Sequence, residues 1–137
     1  MGASGFQQRV KAKTVREAFD RAVSAADAEY GHRQGYSGAV NAKHSVVEVT
    51  LPSGMRDATK LKLPRALADY DYADQELEYA ETPAEKLKWR QARDKARTAF
   101  PTLDVQRLAQ IYSDKWGPAL ALRLASGEFL IFGTAPE

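Results

Sequence analysis

The two flanks of this chain alternate with a period of two while its middle repeats at helical spacing, so its sheet has to be assembled from segments far apart in sequence. Phe6, Gln8, Val10 and Ala12 point one way and Gln7, Arg9, Lys11 and Lys13 the other, which makes Gly5–Lys11 a strand with one basic face. On the far flank Leu120, Leu122 and Leu124 alternate with Ala121 and Arg123. Ser126-Gly127 then supplies a turn, and Phe129 to Phe132 returns as the last strand.

Between these flanks the start and stop signals are local. Thr14 with Glu17 three residues on forms a capping box, and Val15, Ala18, Phe19, Ala22, Val23, Ala26 and Tyr30 recur at helical spacing. A helix over Val15–Tyr30 follows, with Gly31 as its stop. Ala39-Val40-Asn41 and Ser45–Leu51 read as two strands of a hairpin joined through Asn41–His44. Pro64 suits a first helical turn, and Ala66, Tyr70, Ala73, Leu77 and Ala80 follow at spacings of four and three. Thr82-Pro83-Ala84-Glu85 is a second start signal, so a second helix runs to about Ala99 and is expected to bury Trp89, Ala92, Ala96 and Phe100. A short helix around Leu103–Tyr112 completes the set.

The expected order is therefore β-α-β-β-α-α-α-β-β. It describes an α+β domain over 1–137, with an antiparallel sheet of about five strands, helices on one face, and a helical hairpin over 64–100 as an excursion. Chain length and a 44% hydrophobic content suit one core.

A formal charge of +2 conceals a partition. Residues 1–63 carry 10 basic and 6 acidic side chains, 64–100 carry 7 and 8, and 101–137 carry 3 and 4. With no Cys there is no disulfide frame, no thiolate-bound metal and no thiol nucleophile. A reducing, cytoplasmic setting is expected, and neither a membrane span nor a signal peptide is read from the apolar runs.

Inside the hairpin the charges separate by arm. Asp69, Asp71, Asp74, Glu76, Glu78 and Glu81 occupy the first arm, and Lys86, Lys88, Arg90, Arg93, Lys95 and Arg97 dominate the second. If the arms neutralise each other about a turn near Thr82, Glu78 faces Lys86, Asp74 faces Arg90, Asp71 faces Arg93 and Asp69 faces Lys95. If instead they form a contact surface for a protein partner, Tyr70, Tyr72, Asp74, Tyr79, Arg90 and Arg93 are its candidates, because Tyr offers a rigid area with a polar tip.

Two further groupings carry possible chemistry. Arg9, Lys11, Lys13, Lys43 and Arg56 could hold nucleic-acid phosphates, although a single-strand platform also needs stacking aromatics beside them. His32, Tyr36, Ser37, Lys115 and Trp116 could line a small-molecule or nucleotide pocket around the Gly31–Gly38 loop. Gly35-Tyr36-Ser37-Gly38 departs from the nucleophile-elbow spacing, and the loop lacks the lysine and serine offsets of a phosphate-binding loop. His32 and His44 are the only imidazoles, so no metal and no cofactor is expected. For Asp114-Lys115-Trp116-Gly117-Pro118 the structural reading is a charged turn in which Trp116 closes the end of the core.

Met1-Gly2-Ala3-Ser4-Gly5-Phe6, Tyr30-Gly31-His32 with Gly35-Tyr36-Ser37-Gly38, and Asp114-Lys115-Trp116-Gly117-Pro118-Ala119 together resemble small uncharacterised proteins of actinobacteria and their bacteriophages. The resemblance covers about 1–51 and 112–134 and leaves the 64–100 hairpin outside. It implies a viral or mobile-element setting and no catalytic residue. The resulting expectation is a non-enzymatic interaction protein, phage-encoded and acting on a host or defence component. The alternatives are a nucleic-acid-binding accessory module and a small-molecule or nucleotide-binding protein.

Overall fold

The structure, a computed structural model, describes residues 2–31 and 37–137. Strand β1 spans Ala3–Lys11 and helix α1 spans Val15–Tyr30. Thr14 caps the helix as the sequence implies, its Oγ1 accepting the Glu17 N–H at 3.1 Å, while Glu17 Oε2 reaches one residue farther back than a capping box requires and accepts the Lys13 N–H at 3.3 Å. A 3₁₀ turn over Val40–Ala42 precedes β2, Val46–Glu48, and a single helical turn α2, Asp57–Lys60. Then come α3 (Leu63–Tyr79), α4 (Pro83–Thr98), α5 (Val105–Ser113), β3 (Ala119–Arg123) and β4 (Glu128–Pro136).

The α+β class stands, but the sheet differs from expectation in three ways. It has four strands in the order β1-β4-β3-β2. Ala39-Val40-Asn41 is not a strand, because Asn41 Nδ2 donates to Asp27 Oδ1 (2.9 Å) and to the Gly31 carbonyl (3.1 Å), which ties this stretch to the end of α1 and coils it. The sheet is also mixed: β1 and β3 flank β4 antiparallel, whereas β2 runs parallel to β3 with Val46 beside Ala119. A parallel pair cannot be closed by a tight turn, and α2 to α5 together form the crossover.

Helices also cover both faces rather than one. Leu120, Leu122, Leu130 and Phe132 face Leu63, Leu67, Tyr70, Phe100, Val105 and Ala109 of the α3–α5 side. Ala119, Ala121, Phe129 and Ile131 face Ala18, Phe19, Ala22 and Ala26 of α1. Two covered faces explain why apolar residues run without interruption from Phe129 to Phe132. At β1 the cover is one-sided. Phe6 and Val10 pack into the α1 layer, while Gln7, Arg9 and Lys11 are exposed.

Because Leu63, Ala66, Leu67 and Tyr70 are core, the near half of α3 belongs to the body of the fold. Only the far half of the hairpin is an excursion from it.

Candidate functional site

Thr82 caps α4 by accepting the Glu85 N–H at Oγ1 (3.1 Å), and Pro83 opens the helix, so the hairpin turns where the sequence places it. Of the residues of α4, Ala96 alone is buried. Together with Trp89 and Ala92 it lines a groove of about 470 Å³ against α3, in which Ala66, Ala73, Ala92, Ala96 and Ala99 leave room between the helices. Tyr72 and Trp89 close one end of this groove edge to face, with ring centres 5.5 Å apart, and Lys88 Nζ stands 4.7 Å over the indole. Tyr72 is 57% exposed, Tyr79 78% and Leu87 54%.

Charge between the two arms is mostly not neutralised. Arg93 meets Asp74 at 2.9 Å, a pair that none of the four expected partnerships contains. Arg65 pairs with Asp69 and Arg97 with Asp94, each within its own helix. Lys86, Lys88, Arg90 and Lys95 on α4, Glu76 and Glu78 on α3, and Glu81 in the connection after it take part in no ion pair among the described residues.

The candidate partner residues thus divide. Tyr72, Tyr79 and Arg90 are exposed on the outer hairpin. Asp74 and Arg93 face each other, and Tyr70 is 6% exposed inside the core, so it is not a contact residue. Trp89, expected inside, is only partly buried, against Tyr72. Its flanking Lys88 and Arg90, on a helix whose remaining apolar stripe is mostly alanine, are the signal that α4 has too little core to bury an indole.

The phosphate-binding grouping does not assemble. Lys43 is buried, and its ammonium donates to the carbonyls of Asp114 (3.0 Å), Lys115 (3.1 Å) and Gly117 (2.9 Å), so its three N–H groups are committed to pinning a turn. Burial pulls its pKa down to about 8, with the Asp114 carboxylate pulling the other way. Arg9 lies 3.0 Å from Glu128, whose carboxyl is held below the usual range by hydrogen bonds from Ser126 and then Arg9. Lys11, Lys13 and Arg56 remain exposed.

Of the pocket grouping, His32 and Tyr36 lie outside the described residues. Ser37 donates its hydroxyl to Asn41 Oδ1 and accepts the Ala39 N–H (3.2 Å), a local brace. Trp116 is 62% exposed and does not close the core, with Lys115 Nζ 5.6 Å from its ring centre. Asp114 Oδ1 accepts the Trp116 N–H at 2.9 Å, which shapes the turn that Lys43 holds.

One polar cluster escaped the sequence reading. Where α3 meets α5 and β4, Asp71, Gln75, Tyr112, Ser113 and Thr134 line a groove of about 680 Å³. Gln75 Nε2 donates to Asp71 at 2.7 Å. Burial raises the pKa of Asp71, against hydrogen bonds from Ser113 and Gln75, and burial likewise raises that of Tyr112. Both shifts favour the protonated forms, so the cluster suits hydrogen bonding better than nucleophilic attack. Among the described residues no three His, Asp or Glu side chains converge as a metal site, and no helix is long and apolar enough to cross a membrane.

No protein-family model matches this chain, and no curated protein or solved structure is significantly similar to it.

Proposed function

We propose that this protein is a non-enzymatic binding protein that docks a partner protein on the outer half of the α3–α4 hairpin. One observation carries the reading: Tyr72, Tyr79 and Leu87 are each more than half exposed, on helices whose opposed charges mostly leave each other unpaired. Exposed Tyr side chains beside an unpaired Arg have the composition of a recognition surface, in which Tyr and Arg are enriched. Lys86, Lys88 and Arg90 favour a partner with an acidic patch. The resemblance to actinobacterial and phage proteins makes a host or defence component the class to present first.

The nucleic-acid alternative has less support, since Lys43 is committed to three carbonyls and Arg9 to Glu128. Cross-linked capture from an actinobacterial lysate tests the proposal by comparing wild type with a Tyr72→Ser/Tyr79→Ser/Leu87→Ser variant of unchanged melting temperature. The variant is expected to lose at least about tenfold of the wild-type recovery of a defined partner. Equal recovery by both would refute the hairpin as the docking surface.

A further inference from the structure

The helices are held to the fold very unequally. α3 buries Leu63, Pro64, Ala66, Leu67, Tyr70 and Ala73, and α1 buries Ala18, Phe19, Ala22 and Ala26. Of the sixteen residues of α4 only Ala96 is buried, and this helix packs mainly on α3. What joins the two is thin: the edge-to-face contact of Tyr72 with Trp89, the partly solvated pair of Arg93 with Asp74, and alanines that leave the groove of about 470 Å³ open between them. The free energy of opening a segment follows the apolar contact it gives up, which is least for α4. By contrast, Leu63, Leu67 and Tyr70 of α3 belong to one cluster with Leu120, Leu122, Leu130 and Phe132 of the sheet, and keep that cover without α4.

Both ends of α4 are tethered. Residues 80–82 join it to α3, and Phe100, 2% exposed, is held in the core two residues past its last turn. Sixteen residues make a helix of about 24 Å, laid back along α3 between these two anchors. A rod fixed at both ends does not swing clear. Away from α3 it is also a short helix in water, which is marginal even with a good cap. Leaving α3 and unwinding are therefore one event.

We infer that α4 is a strap that opens as a cooperative unit of its own, unwinding from α3 while the sheet, α1, α3 and α5 stay folded. If the hairpin docks a partner as proposed above, this opening is its switch: Leu87 leaves with α4 while Tyr72 and Tyr79 remain on α3, so the surface is dismantled without unfolding the body. The opening itself rests on burial alone, and loss of the docking proposal would leave it untouched.

Native-state hydrogen exchange of the intact protein, read amide by amide, tests this. Amides of residues 89–96 are expected to share one protection factor, at least about 100-fold below those of 120–122 and 129–132. Ile131→Val trims β4 within the α1 layer, on the face of the sheet away from α4, and so weakens the body equally whether α4 is open or closed. It is expected to lower protection of the strands about three- to tenfold and to leave residues 89–96 unchanged. Equal protection of α4 and the strands would overturn the inference, as would a fall of both together in Ile131→Val. Protection that climbs steadily from residue 89 to residue 96 would also overturn it, since that is one end fraying and not a unit opening.

Discussion

Arg93 crosses the helical hairpin to Asp74 at 2.9 Å, one turn away from both of the partners that a symmetric pairing about Thr82 assigns to it and to its acid. Packing sets the offset: Tyr72 and Trp89 meet edge to face and the alanines line the space between the helices, so the charges settle wherever this leaves them. Both partners are partly solvated, and pairs of this kind couple by about 0.2–1 kcal/mol. A double-mutant cycle with Arg93→Ala and Asp74→Ala is expected to return a value in that range that shrinks with added salt. Coupling above about 2 kcal/mol would mean that the hairpin depends on this contact.

Lys43 shows the opposite situation, a cation inside the fold. Lys43→Met keeps the apolar stem but leaves the carbonyls of Lys115 and Gly117 without their donor, the Asp114 carbonyl keeping the Gly117 N–H, and is expected to cost about 1–3 kcal/mol. Its pKa lies at about 8 when folded against 10.5 when unfolded, so between those values the unfolded chain holds a proton that the folded one has released. Stability from this group therefore rises with pH across that window. Urea unfolding of both proteins should show the difference between wild type and Lys43→Met widening from about pH 8 to about pH 10. A constant or narrowing gap would contradict the assignment.

Asp71 works in the other direction. Burial lifts its pKa above the ordinary 3.8, so the folded chain keeps the proton longer than the unfolded one, and stability from this group falls as pH rises through the window above 3.8. Asp71→Asn retains an acceptor for Gln75 and removes a charge that repels Asp74. Its melting temperature is expected to exceed that of wild type at neutral pH, and the advantage to vanish near pH 3. A lower melting temperature at neutral pH would show that the carboxylate is needed where it stands.

The parts of this fold that were legible in sequence are those whose signals are local. Thr14 with Glu17 and Thr82 with Glu85 cap helices where they were expected, and the alternation of β1 delivers Phe6 and Val10 to one face and Arg9 and Lys11 to the other. The parallel β2–β3 pair was not legible, because Val46–Glu48 carries no mark of which strand lies beside it. The unbroken apolar run Phe129–Phe132 is the local mark of a strand covered on both faces. Lys43 could not have been placed inside, since nothing in its neighbours shows that three carbonyls from 114–117 await it. For the candidate surface, charge and tyrosines located the hairpin, but helical phase alone could not tell buried Tyr70 from exposed Tyr72 without the neighbouring core.

Gly133 lies opposite Phe6 in the β1–β4 ladder, and a Cβ added there would stand 3.3 Å from Cζ and 3.4 Å from Cε1 of the ring. Phe6 thus covers a strand position that carries no side chain, and its ring joins the α1 layer only because that position is bare. Gly133→Ala is expected to push the ring outward by a few tenths of an ångström and to cost about 1–2 kcal/mol through overpacking. Phe6→Leu removes the atoms that clash, so it should cost less in the Gly133→Ala background than in wild type, by at least about 0.5 kcal/mol in a double-mutant cycle. Additive losses would place the strain in the Gly133 backbone itself, whose φ of 158° disfavours a side chain whatever the space around it.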